Sequence, residues 1–431
     1  MATIKHRAAS GKVASVEPPV PEKPQPTSVF DSKTYSPYII YLSTSFLLTV
    51  IIYVAAFWNT QWSDVFNSHP ARGEMGLGKF IIKGVRFDQN GVRTAFAYPW
   101  RLATTTTAAR ISTWLGYAIH QLGQFYILAN VQWLSSTGQI KAKWSSQYQW
   151  WNWQMLYLNV AMVFYKCIQG HIWYEGLAVD VPEGTAMGAV IAILIGAIII
   201  EIPYRGLFFG RCKRLPVPHF NDVITFAKRY HGYMISFGIV YDFHYHPMEA
   251  TVGHLGGFFY QFLLFWQSTS FLHYSHRNKN WTLLLEVWVL IHGTITALSQ
   301  PGVGWQIFLF GFSVIFLVNQ IWGIPAIRRL STRSRTLAIT AAYAAFIALA
   351  YYGFRENKAY YRMTFIPVTE FAFAIVVILM GSVTAAIVKR LQNIWVIGSL
   401  IASVYMLADG FMIYTLALIL SGGKVTVYND Y

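Results

Sequence analysis

The feature that most restricts this chain is a succession of apolar runs, each close to the length of helix that crosses a hydrocarbon layer. Such a helix needs about 20 apolar residues. Runs of that kind lie at 37–58, 109–134, 151–172, 186–204, 230–247, 254–274, 281–299, 303–323, 336–354, 364–388 and 394–420. Lipid offers backbone groups no hydrogen-bond partners, so a run of this length must satisfy itself as a helix. The expectation is an all-α, polytopic membrane bundle of about 11 transmembrane helices. Residues 36–420 then form one membrane domain, with 59–108 as an outer loop or cap. The polar segment 1–35, with Pro18, Pro19, Pro21, Pro24 and Pro26, reads as a disordered cytoplasmic tail, and 421–431 as a short C-terminal tail.

Composition agrees with a membrane setting. Charged residues make up 12% of the chain, against about 25% in soluble domains. The formal charge of +15 comes from basic residues scattered over short connections, with no stretch long enough to track a phosphate backbone. That pattern signals orientation and attraction to anionic lipid rather than nucleic acid. With the N-terminus inside, the inner segments carry 21 Lys and Arg and the outer segments 10, six of these in the single long loop 59–108. The bias places the N-terminus in the cytoplasm. Two cysteines, Cys167 and Cys212, leave neither a disulfide framework nor a thiolate metal site.

Ionisable side chains within lipid are costly unless paired or solvated, and so mark candidate sites. The densest group is Asp242, His244, His246, Glu249 and His254, three histidines and two acids within 13 residues. Pro247 ends a helix there, and Gly253, Gly256 and Gly257 open the next. Asp242 and His246 stand one turn apart, so the acid can orient the imidazole. His171 and Glu175, at the same expected depth, form a similar couple. The candidate catalytic set is His246, Glu249, Asp242 and Glu175. The candidate metal ligands are His171, His244, His246 and His254, which would suit zinc or iron.

A second group, Glu201, His231, His273, His276 and Glu286, falls toward the other face. There the adjoining Arg277 and Lys279 point to an interfacial role for the histidines. His120 and His292 sit near mid-span with no acid within four positions, as buried hydrogen-bonding histidines do. Lys166, in the third span, is expected to pair with an acid such as Glu370 or Asp409.

Ser236-Phe237-Gly238 and Tyr241, followed by His246, Glu249 and Gly253-His254, is similar to the core of the emopamil-binding sterol isomerase family. The likeness spans only residues 236–254, its spacings differ, and the chain has about twice the spans of that family. It implies paired His and Glu groups in a membrane pocket. No H-x-x-H-H box of membrane desaturases occurs. The leading expectation is an integral membrane enzyme acting on a lipid or other apolar small molecule through the outer His/Glu group, by metal or by proton transfer. The alternatives are a proton-coupled transporter or channel, a haem-binding electron carrier and a non-catalytic membrane subunit.

Overall fold

The computed structural model describes residues 36–58, 105–248, 252–298 and 304–390. The described chain is helical. In order it forms α1 (Ser36–Trp58), α2 (Thr107–Ser136), α3 (Trp150–Ile172), α4 (Glu183–Arg205), α5 (Phe220–Tyr245) and α6 (Val252–Thr269). There follow α7 (Lys279–Leu298), α8 (Gly304–Val318), a short α9 (Pro325–Arg329), α10 (Thr332–Gly353) and α11 (Phe365–Arg390). No strand forms among the described residues, only the isolated bridges Ser145–His273 and Phe208–Arg211. Most of the expected cap, both tails and the last apolar run lie outside the described residues.

Five segments are long and apolar enough to cross a membrane: Pro37–Ala55, Gly184–Arg205, Lys279–Leu298, Thr332–Gly353 and Tyr360–Arg390. Gly304–Val318 is apolar but shorter. Helices α2, α3, α5 and α6 fall short of that criterion, and for α2 and α3 the packing shows why. On α2 the buried side includes Ser112, Thr113, His120, Gln121 and Gln124, while Leu122 and Tyr126 are each 67% exposed. On α3 Asn152, Asn159, Lys166 and Gln169 are buried, while Tyr157, Phe164 and Ile168 are exposed. These helices are amphipathic in the opposite sense to those of soluble proteins, polar inward and apolar outward. Averaging over both faces hides the apolar one.

Neighbouring helices run antiparallel, as paired contacts with opposed numbering record. Between α2 and α5, His120 meets His244 and Gln132 meets Tyr233. Between α3 and α6, Asn159 reaches Thr269 and Asn152 reaches Phe271. Thr185 and Gly196 of α4 meet Tyr241 and Met234 of α5.

At the end of the bundle where α1 begins, the Tyr41 hydroxyl bonds Tyr148, Ser270 and Ser275 at 2.7, 2.9 and 3.1 Å. His273 fastens the same end: its Nδ1 lies 2.7 Å from Ser275 Oγ and its Nε2 3.0 Å from the Ser146 carbonyl. His273 is fully buried. It is therefore a structural tie between two connections rather than an interfacial group.

Candidate functional site

The last turn of α5 and its cap carry three of the candidate residues, Asp242, His244 and His246, and helical periodicity divides them. Residues four apart share a face, and residues two apart point in nearly opposite directions. Asp242 and His246 accordingly lie together, while His244 turns to the other side.

On the first face, His246 Nδ1 donates to the Asp242 carbonyl at 2.9 Å and lies 3.8 Å from Asp242 Oδ1. Gln261 Nε2 of α6 donates to the Asp242 carboxylate. The His246 and His254 rings meet edge to face at 5.7 Å between centroids. His292 of α7 is a third imidazole, close enough for electrostatic interaction with both. It approaches α6 so closely that a Cβ at Gly257 would stand 3.2 Å from its Cε1. A side chain there would press on the His292 ring, which would have to shift by a few tenths of an ångström. The His246 side chain is 32% exposed, so this group opens to the surface.

On the second face a chain of hydrogen bonds fixes each partner. Asn159 Nδ2 donates toward α6, to Thr269 Oγ1 at 3.0 Å and the Phe265 carbonyl at 3.3 Å. Its Oδ1 therefore accepts from α2, from Gln124 Nε2 at 2.7 Å and His120 Nε2 at 3.0 Å. With Nε2 as the donor, His120 Nδ1 is an acceptor, and His244 Nε2 donates to it at 3.2 Å. Ser236 of α5 donates to Gln124 Oε1 at 2.7 Å. His244 is fully buried, and its Nδ1 has no partner among the described residues.

Lys166 lies beyond His244. Its Nζ donates to Gln169 Oε1 at 3.0 Å and to the Glu175 carbonyl at 3.1 Å, and its charge acts on both Glu175 and His244. The acid that accompanies Lys166 is thus Glu175, from the next turn of chain, and not Glu370. Glu175 is positioned by Tyr174, buried with a left-handed backbone (φ 66°). It is also held by Gly176, where a Cβ would stand 2.2 Å from the Tyr245 carbonyl oxygen. The Glu175 carboxylate accepts from Thr105 at 2.8 Å. His171 Nδ1 donates to the Cys167 carbonyl at 2.6 Å. Glu249 and Asp409 lie outside the described residues.

The four candidate metal ligands do not converge, because His244 is turned to His120. Among the described residues no three His, Cys, Asp or Glu side chains are arranged to hold a metal ion, whereas zinc needs three or four ligands. For haem, His120 and His244 bond each other directly and leave no space for a macrocycle between them. His120 is a buried hydrogen-bonding histidine, as its sequence setting implies.

The neutral residues Gln124, Asn159 and Ser236 are unmarked by any charge-based reading. One signal does point to Asn159. Asn152, Asn159 and Lys166 recur every seven residues, which puts them on one stripe of α3.

Comparisons with family models, curated proteins and solved structures find no match. The local likeness to the sterol isomerases therefore carries no family assignment.

Proposed function

We propose that this chain is a polytopic membrane enzyme of about 11 spans, its N-terminus cytoplasmic, that moves protons on an apolar substrate dissolved in the membrane. The inside-out character of α2 and α3 supports counting them as spans, as does the antiparallel alternation of α2, α3, α5 and α6. Lys141, Lys143, Arg211, Lys213, Arg277 and Lys279 gather at the end where α1 begins, which supports the orientation.

The observation that carries the catalytic reading is the Asp242–His246 couple, an imidazole held by the Asp242 carbonyl with that residue's carboxylate 3.8 Å from its Nδ1, accessible at the bundle's edge. His246 is the acid–base group, Asp242 positions it, and His254 and His292 complete a cluster able to accept and return a proton. Proton transfer is favoured over metal chemistry because the imidazoles present are disposed in two sets and not around one point. Glu175 and His171 remain candidates beside this couple, and Glu249 remains one on its sequence position alone.

Proton transfer at carbon leaves an isotopic mark that can be read whatever the substrate is. The purified protein is incubated in D2O with a total lipid extract of the membrane that expresses it. Carbon-bound deuterium is then counted by mass spectrometry. Deuterium should enter one lipid class with the wild-type protein and not with His246→Gln. No incorporation by the wild type, or undiminished incorporation by the variant, would overturn the reading.

A further inference from the structure

A second ionisable group lies in the other half of the bundle, independent of the α5 site. Two ion pairs lead inward from the end where α1 begins. Lys279 Nζ, on a side chain 36% exposed, bonds Glu201 at 2.6 Å. Arg205, the last residue of α4, pairs with Glu286, two turns into α7, the arginine side chain only 2% exposed. Each pair is neutral as a unit. Beyond them is Glu370 of α11, 2% exposed, whose Oε2 has no hydrogen-bond partner among the described residues.

Glu370 and Glu286 line one narrow cavity between α4, α7, α8 and α11, with room for about one water molecule (about 10 Å³). The charges on the surrounding elements are already paired. Helix α4 contributes Glu201 and Arg205 and α7 contributes Lys279 and Glu286. Helix α8 and the turn after it present Phe312, Ile315 and the neutral Gln320. Among the described residues no basic side chain bonds or ion-pairs with Glu370; Arg362, buried in the turn Tyr360–Thr364, stands eight positions before it. A bare carboxylate in such surroundings costs several kcal/mol, and a cavity of this size admits a water but no hydrated metal ion.

We propose that Glu370 is an exchangeable proton-binding site, a carboxyl group that takes up and releases its proton through the cavity it shares with Glu286. The ion pairs Arg205–Glu286 and Lys279–Glu201 connect that cavity to the end where α1 begins. The site would let the bundle couple a conformational change to proton uptake from that side, whichever substrate the α5 site handles.

Infrared spectroscopy of the full chain in mild detergent tests this directly. A protonated carboxyl has a carbonyl stretch well above the carboxylate bands, and the stretch shifts down when the proton is replaced by deuterium. Subtracting the Glu370→Gln spectrum from the wild-type spectrum isolates the contribution of Glu370. The expected result is a protonated-carboxyl band that moves within minutes of transfer to D2O and vanishes in Glu370→Gln. If Glu370→Gln fails to fold, Glu370→Asp serves instead, and the band should shift in frequency rather than vanish. Hydrophobic carbodiimide, which adds to protonated carboxyls in apolar surroundings, should also mark Glu370 in the wild-type protein on peptide mapping. Absence of the band, or a band unmoved by D2O over hours, would overturn the proposal.

Discussion

Asn159→Leu tests the polar interior that organises α2, α3, α5 and α6. Leucine is close to asparagine in volume but removes the one acceptor shared by His120 Nε2 and Gln124 Nε2. Both donors are buried, and a buried donor left without a partner costs about 1–3 kcal/mol. The losses on α6 are smaller. The Phe265 carbonyl lies within a helix, and interhelical hydrogen bonds in membranes average only about 0.6 kcal/mol. Gln124 Nε2 and His120 Nε2, 3.3 Å apart, are both donors and satisfy each other only if the His120–His244 pair changes tautomer. The net expectation is a destabilisation of about 2–3 kcal/mol. It would be read as a shift in the unfolding midpoint of detergent-solubilised protein titrated with sodium dodecyl sulfate. Adding His120→Leu removes one orphaned donor. The double variant should therefore lose about 1 kcal/mol less than the sum of the two single variants. Asn159→Leu within about 0.5 kcal/mol of wild type, or strict additivity of the pair, would refute this network.

Three further outcomes follow from other parts of the structure. Gly176→Ala should abolish accumulation of folded protein, because the added methyl meets the backbone of Tyr245 and His246 rather than a movable side chain; a size-exclusion profile matching wild type would contradict that. His276, in the turn Tyr274–Arg277 and bonded to the Gln267 carbonyl, has its pKa lowered to about 4 by burial, with His231 as the next cause. Because the folded value lies below the unfolded one, about 6.5, the unfolded chain binds the extra proton first. Stability present above about pH 6.5 is then lost as pH falls toward 4, and the melting temperature should drop across that window, less steeply in His276→Gln. Cys212, exposed in the connection after α4, should react with a membrane-impermeant maleimide only after cells are permeabilised; labelling of intact cells would reverse the orientation.

The positions of the helices were legible because apolar run length is a coarse property that survives uncertainty in individual residues. Ten of the apolar runs coincide with helices among the described residues, although α5 begins at Phe220, well before its apolar part. Hydropathy alone singles out fewer of these helices, since the polar stripes of α2 and α3 offset their exposed apolar residues. The site was legible in part. The closeness of Asp242 to His246 followed from their spacing, and so did the nearness of His254 across a short connection. The separation of His244 from His246 also follows from spacing once α5 is known to persist through Tyr245, but a proline at 247 suggests a polar turn with free side-chain directions. Lys166 illustrates the opposite limit. Its companion Glu175 is brought close by the left-handed turn at Tyr174, a backbone feature that residue type does not announce. Gln124 and Asn159 carry no charge, and only Asn159 has a spacing that distinguishes it from surface polar residues.

The central claim is that chemistry resides on the Asp242–His246 face of α5 and not on the His120–His244 face. The measurement that tests it most directly is solvent deuterium uptake into lipid by Asp242→Asn, His246→Gln and His120→Gln proteins, each first shown to be folded. Loss of uptake in the first two, with His120→Gln retaining at least about half of the wild-type rate, within a few tenths of a kcal/mol, is the predicted result. Loss in His120→Gln with retention in Asp242→Asn and His246→Gln would contradict the claim and move the site to the buried histidine pair.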